Sequence, residues 1–192
     1  MLELSGLRAI HRELMNSYLN GGQANRIAMA KQNSTLFLVS GKIAAGKSTM
    51  AVNLAKQHSA VLVSEDHWLS SLYPGEIETI EDYVRCSARI RDALHPHIVH
   101  LLQMSQSIVM DFPANTLSQR KWLRGIFEAA NAAHELHFID APDDVCKERL
   151  RQRYLTGEHP FQTSEADFEL ITSHFVAPSP DEGFNVVVHR FE

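Results

Sequence analysis

Short runs of apolar and β-branched residues alternate with helical patterns along most of the chain. Five runs suited to buried strands occur at residues 35–40, 60–64, 106–111, 136–140 and 185–189. Between them, apolar residues recur every three or four positions, which is typical of helices that pack through one face. This alternation predicts an α/β fold, a doubly wound five-stranded parallel sheet with helices on both faces. Ligands of such sheets bind at the carboxyl ends of the strands.

Three helical regions carry specific predictions. Residues 79–104 predict two helices, because Pro96 interrupts the pattern. Residues 118–133 predict one amphipathic helix that Ser118 caps. Residues 1–33 predict a helical extension before a main domain at 34–192, with one helix ending near residues 20–22 and a second at 24–31. The extension either packs on the outside of the domain or contributes to an oligomer contact, and the pattern does not decide between them.

A complete Gly-x-x-x-x-Gly-Lys-Ser sequence follows the first predicted strand and opens the next helix. This strand–loop–helix context is the one in which such a sequence binds the phosphates of a nucleoside triphosphate. Backbone N–H groups of the loop and the positive end of the helix attract the phosphates. We expect Lys47 to reach the β- and γ-phosphates and Ser48 to bind Mg²⁺. The predicted nucleotide-binding residues are Gly41, Lys42, Ile43, Ala44, Ala45, Gly46, Lys47, Ser48 and Thr49.

Composition narrows the class of protein. The 192 residues suit one compact domain with a short appendage. A formal charge of −5 disfavours a broad nucleic-acid-binding surface without excluding a nucleic-acid substrate. The two cysteines have no metal-ligand spacing, and the sequence contains neither a secretory signal pattern nor an apolar run long enough to span a membrane. We therefore expect a cytoplasmic protein, and the sequence leaves its oligomeric state open.

Acidic residues follow the second and third predicted strands. Glu65 and Asp66 come directly after the second strand, and we favour Asp66 as the base that accepts a proton from an acceptor hydroxyl. The alternative is that either acid caps the next turn. Trp68 is a candidate for the acceptor pocket. Asp111 ends the third strand as an acid that could hold Mg²⁺ through water, and Phe112 occupies the next position, where hydrolytic enzymes of this class commonly place a second carboxylate. This favours a transferase over an ATPase.

Other polar residues complete the predicted site. Asn115, in the loop after the third strand, is predicted to bind the acceptor substrate. Arg120 could clamp an anionic group of the acceptor or be a solvated helix residue. Arg149 and Arg153 are four residues apart on one helix face, at the root of a predicted lid around residues 149–165. They either stabilise the transferring phosphoryl group or form a solvated basic face. Residues 177–180, before the last strand, are predicted to lie beside the nucleotide base.

Taken together, the loop at 41–49, the Ser-Glu-Asp-x-Trp turn at 64–68, the Asp-Phe-Pro-Ala-Asn segment at 111–115, the Arg-Leu-x-x-Arg helix at 149–153 and the segment at 178–184 resemble a small P-loop kinase-like family. This family is often labelled AAA-type ATPase or zeta-toxin-like, and includes relatives of chloramphenicol phosphotransferase and polynucleotide kinase. The resemblance covers roughly residues 35–190. It implies a three-layer P-loop fold with a sheet of nucleoside-kinase type. It also implies that Asp66 is the acceptor-side base and that Arg149 or Arg153 is the lid arginine.

The expected activity is transfer of the γ-phosphoryl group of Mg-ATP to a hydroxyl group of a small molecule. One alternative is a kinase that acts on the 5′-hydroxyl of a polynucleotide. A second is a nucleotide-dependent switch or ATPase that has no acceptor. The sequence contains no feature that identifies the acceptor or separates ATP from GTP.

Overall fold

In this computed structural model, the described part of the chain comprises residues 34–156 and 165–190. Its strands are β1 (Thr35–Ser40), β2 (Val61–Ser64), β3 (Ile108–Asp111), β4 (Ala133–Asp140) and β5 (Val186–Arg190). Its α-helices are α1 (Lys47–Gln57), α2 (Glu65–Leu72), α3 (Ile80–Gln103), α4 (Leu117–Ala130), α5 (Asp143–Thr156) and α6 (Glu165–Ser173). A short 3₁₀ helix spans Pro180–Glu182. The predicted extension at residues 1–33 lies outside the described residues and stays a prediction.

The described strands form one parallel sheet in the order β2-β3-β1-β4-β5. Each of the five predicted strands is confirmed, with small differences at the ends. The central strand β1 is buried on both faces, because Leu36 and Leu38 pack towards α3 and α4 whereas Phe37 and Val39 pack towards α1. The helices therefore cover both faces, and the three-layer doubly wound fold is confirmed. All carboxyl ends of the strands meet at one edge of the sheet.

Helix α3 is continuous, so the predicted break at Pro96 is wrong. A capping box between Thr79 and Asp82 begins the helix, which then runs for 24 residues. Ile90 and Leu94 before the proline are buried on the same stripe as Ile98 after it. The proline itself faces solvent, so its ring displaces nothing in the core. Packing on both sides holds the helix together despite the lost N–H donor.

Helix α4 also begins differently from the prediction. Thr116, not Ser118, is its N-terminal cap, and it forms a capping box with Gln119. Both donors are satisfied reciprocally, because the Gln119 N–H donates to the Thr116 hydroxyl oxygen (3.3 Å) and the Thr116 N–H donates to Gln119 Oε1 (3.1 Å). A Thr-x-x-Gln box satisfies two otherwise unpaired N–H groups, which explains why the helix starts one residue earlier.

Candidate active site

The glycine-rich loop connects β1 to α1 at the carboxyl edge of the sheet. A Cβ atom at Gly41 would lie 2.8 Å from the Ile139 carbonyl oxygen, so only glycine lets the loop pass this close to β4. Gly46 caps α1 with a φ of 106°, in a region that side chains rarely adopt. Gly41 therefore allows close packing on a neighbouring strand, whereas Gly46 allows a left-handed turn into the helix.

Lys47 curls back over the loop. Its ammonium group donates hydrogen bonds to the carbonyl oxygens of Gly41 (2.8 Å) and Lys42 (2.7 Å). Desolvation of the half-buried side chain is the main cause that lowers its pKa to about 8, although the nearby carboxylates of Asp111 and Asp66 oppose this shift. Burial thus destabilises the charged form of Lys47, and an anionic ligand in the loop would stabilise it.

The loop after β3 forms hydrogen bonds to the start of the glycine-rich loop. The Ser40 hydroxyl donates to the Ala114 carbonyl oxygen at 2.9 Å, and the Gly41 N–H donates to Asn115 Oδ1 at 3.1 Å. Asn115 was expected to contact substrate, and in the structure its side-chain oxygen holds the first glycine of the loop. Whether Asn115 also contacts an acceptor stays a prediction.

Arg120 is fully buried, with 0% of its surface exposed. Its guanidinium donates to both carboxylate oxygens of Glu182 (2.5 and 2.9 Å) and to the carbonyl oxygens of Ala114 (3.0 Å) and Val176 (2.7 Å). The predicted clamp on an anionic acceptor group is therefore corrected. Arg120 ties the loop after β3 to the segment before β5, because these partners use its donors and no face of it reaches solvent.

Asp66, Asp111 and Ser48 gather opposite Lys47. Ser64 pairs with Asp111 in the sheet register, so the two residues after Ser64 begin α2 directly beside the end of β3. Burial raises the pKa of Asp111, and the nearby Asp66 carboxylate raises it further, while a hydrogen bond from Ser48 and the charge of Lys47 lower it. These mutual effects place the four groups near one another at the carboxyl edge.

Glu65 and Asp66 are neighbours with opposite environments. Glu65 is 1% exposed, and its carboxylate accepts hydrogen bonds from Tyr83 (2.7 Å), Ser87 (2.5 Å) and Arg91 (3.1 and 3.2 Å). It joins α2 to α3 and has no access to a ligand. Asp66 is exposed, and its charge acts on Lys47 in the glycine-rich loop. The preference for Asp66 over Glu65 as a base agrees with these environments, although its catalytic role stays a prediction.

Helix α5 contacts the loop from the other side. Arg149 Nη1 donates to the Ala45 carbonyl oxygen at 2.9 Å, and Lys42 forms an ion pair with Asp143. Arg153 lowers the pKa of Lys47 by its charge, which places it near the same site. Trp68 lies on α2, two residues after Asp66, and is 37% exposed. Residues 157–164 of the predicted lid at 149–165 lie outside the described residues.

A cavity of about 600 Å³ extends from the loop over the face of the sheet that carries α1 and α5. Its lining includes three arginines, Arg149, Arg153 and Arg190, together with His189, Asn53 and Gln152. We had not predicted the last three residues or Arg190, although His189 and Arg190 end a parallel strand and therefore had to reach the carboxyl edge. Ser179 N–H donates to Glu182 Oε1 at 2.9 Å beside Arg120, and the placement of residues 177–180 beside the base stays a prediction.

Among residues 34–156 and 165–190, no helix is long and apolar enough to cross a membrane. The same residues contain no group of three or more His, Cys, Asp or Glu side chains that could hold a metal ion. A magnesium site would thus have to combine a hydroxyl, a carboxylate and oxygen atoms of a ligand.

The sheet order, the glycine-rich loop and the acids at the carboxyl edge define a P-loop kinase-like fold. A family model described as an AAA domain matches residues 36–178. The chain therefore belongs to this AAA-domain family, and the predicted family resemblance is confirmed. No curated protein matches the chain in sequence.

Solved structures agree on the fold. A protein described as a candidate kinase from Chloroflexus aurantiacus has 24% identity and a TM-score of 0.66, with 83% of this chain and 86% of that chain covered. Kti12 from Chaetomium thermophilum, in complex with ADP-AlF3, has 16% identity and a TM-score of 0.59, covering 82% and 89%. The APS kinase CysC of Mycobacterium tuberculosis, in complex with AMPPNP and APS, has 17% identity and a TM-score of 0.56, covering 82% and 88%.

Proposed function

We propose that the protein is a phosphotransferase that moves the γ-phosphoryl group of ATP to a hydroxyl group of a small molecule. The observation that carries this proposal is the cluster of Asp66, Asp111 and Ser48 opposite Lys47, at the mouth of the glycine-rich loop. A nucleotide binder without an acceptor needs the loop and its lysine. A phosphotransferase also needs a carboxylate that can accept the proton of the acceptor hydroxyl, and the exposed Asp66 is suited to this role.

The loop amides and Lys47 would hold the triphosphate. Lys47 would exchange its two carbonyl partners in the loop for phosphate oxygens, which restores the solvation that burial removes. The residues present fit a magnesium ion, because the Ser48 hydroxyl and the Asp111 carboxylate lie within hydrogen-bonding reach of each other and oxygen atoms are the ligands Mg²⁺ prefers. When bound, the ion would neutralise negative charge on the β- and γ-phosphates.

Asp66 would accept the proton of the acceptor hydroxyl. As that O–H bond breaks, a bond forms between the acceptor oxygen and the γ-phosphorus, and the bond from phosphorus to the β–γ bridging oxygen breaks to release ADP. Arg149 or Arg153 would stabilise the charge on the phosphoryl group during transfer. Both arginines line the cavity next to the loop, on the side opposite α2.

The acceptor is proposed to be a small molecule that lies beside Asp66, with Trp68 as one wall of its pocket. The APS kinase of similar fold was captured with both a nucleotide analogue and APS, which is a precedent for an acceptor on this fold. The net charge of −5 disfavours a polynucleotide as acceptor. A solved RNA repair complex that contains Pnkp1 has a similar fold, so an oligonucleotide belongs among the acceptors tested.

The test compares Asp66→Asn with the unchanged protein. With γ-labelled ATP, Mg²⁺ and pooled nucleosides, aminoglycosides, sugars, sugar nucleotides and a 5′-hydroxyl oligonucleotide, we expect label in one acceptor class. Asp66→Asn should lower transfer about 100-fold or more, the usual contribution of a general base, while the Kd for ATP changes less than about twofold. Asp92→Asn, an exposed acid on α3, is the matched control and should leave both unchanged.

Two results would contradict the proposal. Equal loss of ATP binding and transfer in Asp66→Asn would remove the base assignment. Tight ATP binding with no acceptor labelled, and with little effect of Asp66→Asn, would favour a nucleotide-dependent switch. Lys47→Ala should disable either kind of protein, so that variant does not discriminate.

A further inference from the structure

A chain of three polar side chains leads from the partly exposed Glu135 on β4 to His189 in the wall of the cavity. His137 Nε2 lies 3.2 Å from a carboxylate oxygen of Glu135, and His137 Nδ1 lies 2.9 Å from His189 Nε2. The two imidazole rings are nearly coplanar, with an angle of 16° between them and centroids 5.2 Å apart, as an in-plane hydrogen bond between ring nitrogens requires. His137 is 6% exposed, whereas His189 borders the cavity beside the glycine-rich loop.

The sheet register places this chain on the cavity side. Val39 packs against α1 and is the register partner of His137. His189 is the register partner of Ile139, which lies two residues after His137. Because alternate residues of a strand share a face, both histidines lie on the face that α1 and the cavity cover. The cavity floor is formed by Ile139 and His189.

The direction of the hydrogen bonds follows from the carboxylate. An ionised carboxylate accepts and cannot donate, so His137 Nε2 carries the hydrogen. In the neutral ring, His137 Nδ1 then has only a lone pair, and His189 Nε2 must be the donor between the two histidines. Desolvation lowers the pKa of His137, and this agrees with a neutral ring despite the opposing hydrogen bond to Glu135. A neutral His189 is thereby fixed as the tautomer whose Nδ1 is an acceptor.

We propose that Glu135 and His137 hold His189 as a hydrogen-bond acceptor in the cavity, where it selects a nucleobase that presents an amino group over one that presents an oxo group. The proposal rests on the proposed function, since it concerns the nucleoside part of the same triphosphate. Adenine has a 6-amino donor, whereas guanine and hypoxanthine have a 6-oxo acceptor that would face the acceptor on His189. Asn53 and Gln152 also line the cavity, but their amides both donate and accept and cannot impose this choice.

The experiment measures the affinity of the full chain for ATP, purine riboside triphosphate, inosine triphosphate and 2′-deoxyATP by calorimetry. Purine riboside triphosphate lacks the 6-amino group and should bind about three- to tenfold more weakly than ATP, the range of one net hydrogen bond. Inosine triphosphate should bind about tenfold more weakly or worse, since two acceptors then face each other. 2′-DeoxyATP should bind as ATP does, because the acceptor on His189 is assigned to the base and not to the ribose.

Two variants test the residues. His189→Phe keeps a ring but removes the acceptor, and should bring the affinities for ATP and inosine triphosphate within about twofold of each other. In Glu135→Gln the amide can donate to His137 Nε2, so neither histidine is held in one tautomer. The ratio of the affinities for ATP and inosine triphosphate should therefore move towards one. Glu128→Gln, an exposed acid on α4, is the control and should keep the full preference. Circular dichroism and thermal unfolding establish that each variant is folded.

Each other outcome would overturn the proposal. Equal affinity of the unchanged protein for all four nucleotides would refute base selection and leave the proposed function standing. Full preference retained in His189→Phe would refute the assignment to this residue. Weak binding of 2′-deoxyATP together with strong binding of purine riboside triphosphate would move the contact to the ribose. Failure to bind any nucleotide would overturn the proposed function and this inference together.

Discussion

Arg120 and Glu182 offer the sharpest test of how the fold supports the site. We expect Arg120→Met to destabilise the protein by about 3 kcal/mol, at the lower end of the range for breaking a buried ion pair. The change removes two hydrogen bonds to the Glu182 carboxylate and one to each of two carbonyl oxygens. The lower end applies because 14% of the Glu182 side chain is exposed, so water can partly replace the guanidinium.

Urea unfolding followed by circular dichroism measures this change. With a slope of about 2 kcal/mol per M urea, a loss of 3 kcal/mol lowers the midpoint by about 1.5 M. Arg85→Met is the matched control, because Arg85 forms its ion pair with Asp82 on an exposed helix surface and its side chain is 52% exposed. It should cost less than about 0.5 kcal/mol. In Arg120→Met that remains folded, we also expect weaker ATP binding, since Arg120 holds the carbonyl group next to Asn115.

A double variant and the pH dependence decide whether the ion pair is the cause. The double variant Arg120→Met with Glu182→Gln should lose less unfolding free energy than the two single variants lose together. The difference should be at least about 1 kcal/mol, because no unpaired carboxylate remains. Burial alone would raise the pKa of Glu182, but hydrogen bonds from Arg120 and the Ser179 N–H and the charge of Arg120 lower it overall. A lowered carboxyl pKa stabilises the fold above the ordinary value of 4.5, and this contribution is lost as the pH falls through the folded-state pKa. The difference between the unchanged protein and Arg120→Met should therefore shrink below about pH 4. A loss under about 1 kcal/mol at pH 7, or strict additivity in the double variant, would refute the reasoning.

Two further predictions follow from the site and from α3. Burial lowers the pKa of Lys47 to about 8, and a bound triphosphate should raise it again. Each binding event should therefore take up about 0.9 proton at pH 9 and about 0.1 proton at pH 7. Calorimetry in buffers of different ionisation enthalpy measures this number, and zero uptake at pH 9 would contradict the assigned environment of the lysine. Pro96→Ala should stabilise the protein by about 1–3 kcal/mol, because an exposed position inside a continuous helix regains a backbone donor. A lower thermal midpoint in that variant would show that the helix is adapted to its proline.

The amino-acid pattern predicted the order of strands and helices because burial on both faces of a parallel sheet requires continuous apolar runs, and these are visible at each strand. It failed at Pro96, where local propensity favoured a break. The outcome depended on tertiary packing of Ile90, Leu94 and Ile98, which local propensity does not report. Thr116 was missed as a cap although its box with Gln119 is readable from the spacing.

The candidate site was predictable to the extent that its chemistry is contiguous along the chain. The glycine-rich loop is a single uninterrupted segment, so its residues were identified directly. Arg120 was misassigned because its partners, Val176 and Glu182, are more than 50 positions away. The pair of His137 and His189 was missed for the same reason, since only the pairing of β4 with β5 brings these residues together.

The hydrogen-bond network around Glu65 has a consequence for how this protein can diversify. It anchors the start of α2 through the buried carboxylate of Glu65 and its hydrogen-bond partners on α3. The exposed surface of the same helix, which includes Asp66 and Trp68, contributes little to that anchor. If this surface lines the acceptor pocket as proposed, substitutions on it can alter the choice of acceptor with little penalty to folding. Under that proposal, exchange of the surface residues of α2 between family members, with Glu65 and Asp66 kept, would change the acceptor specificity.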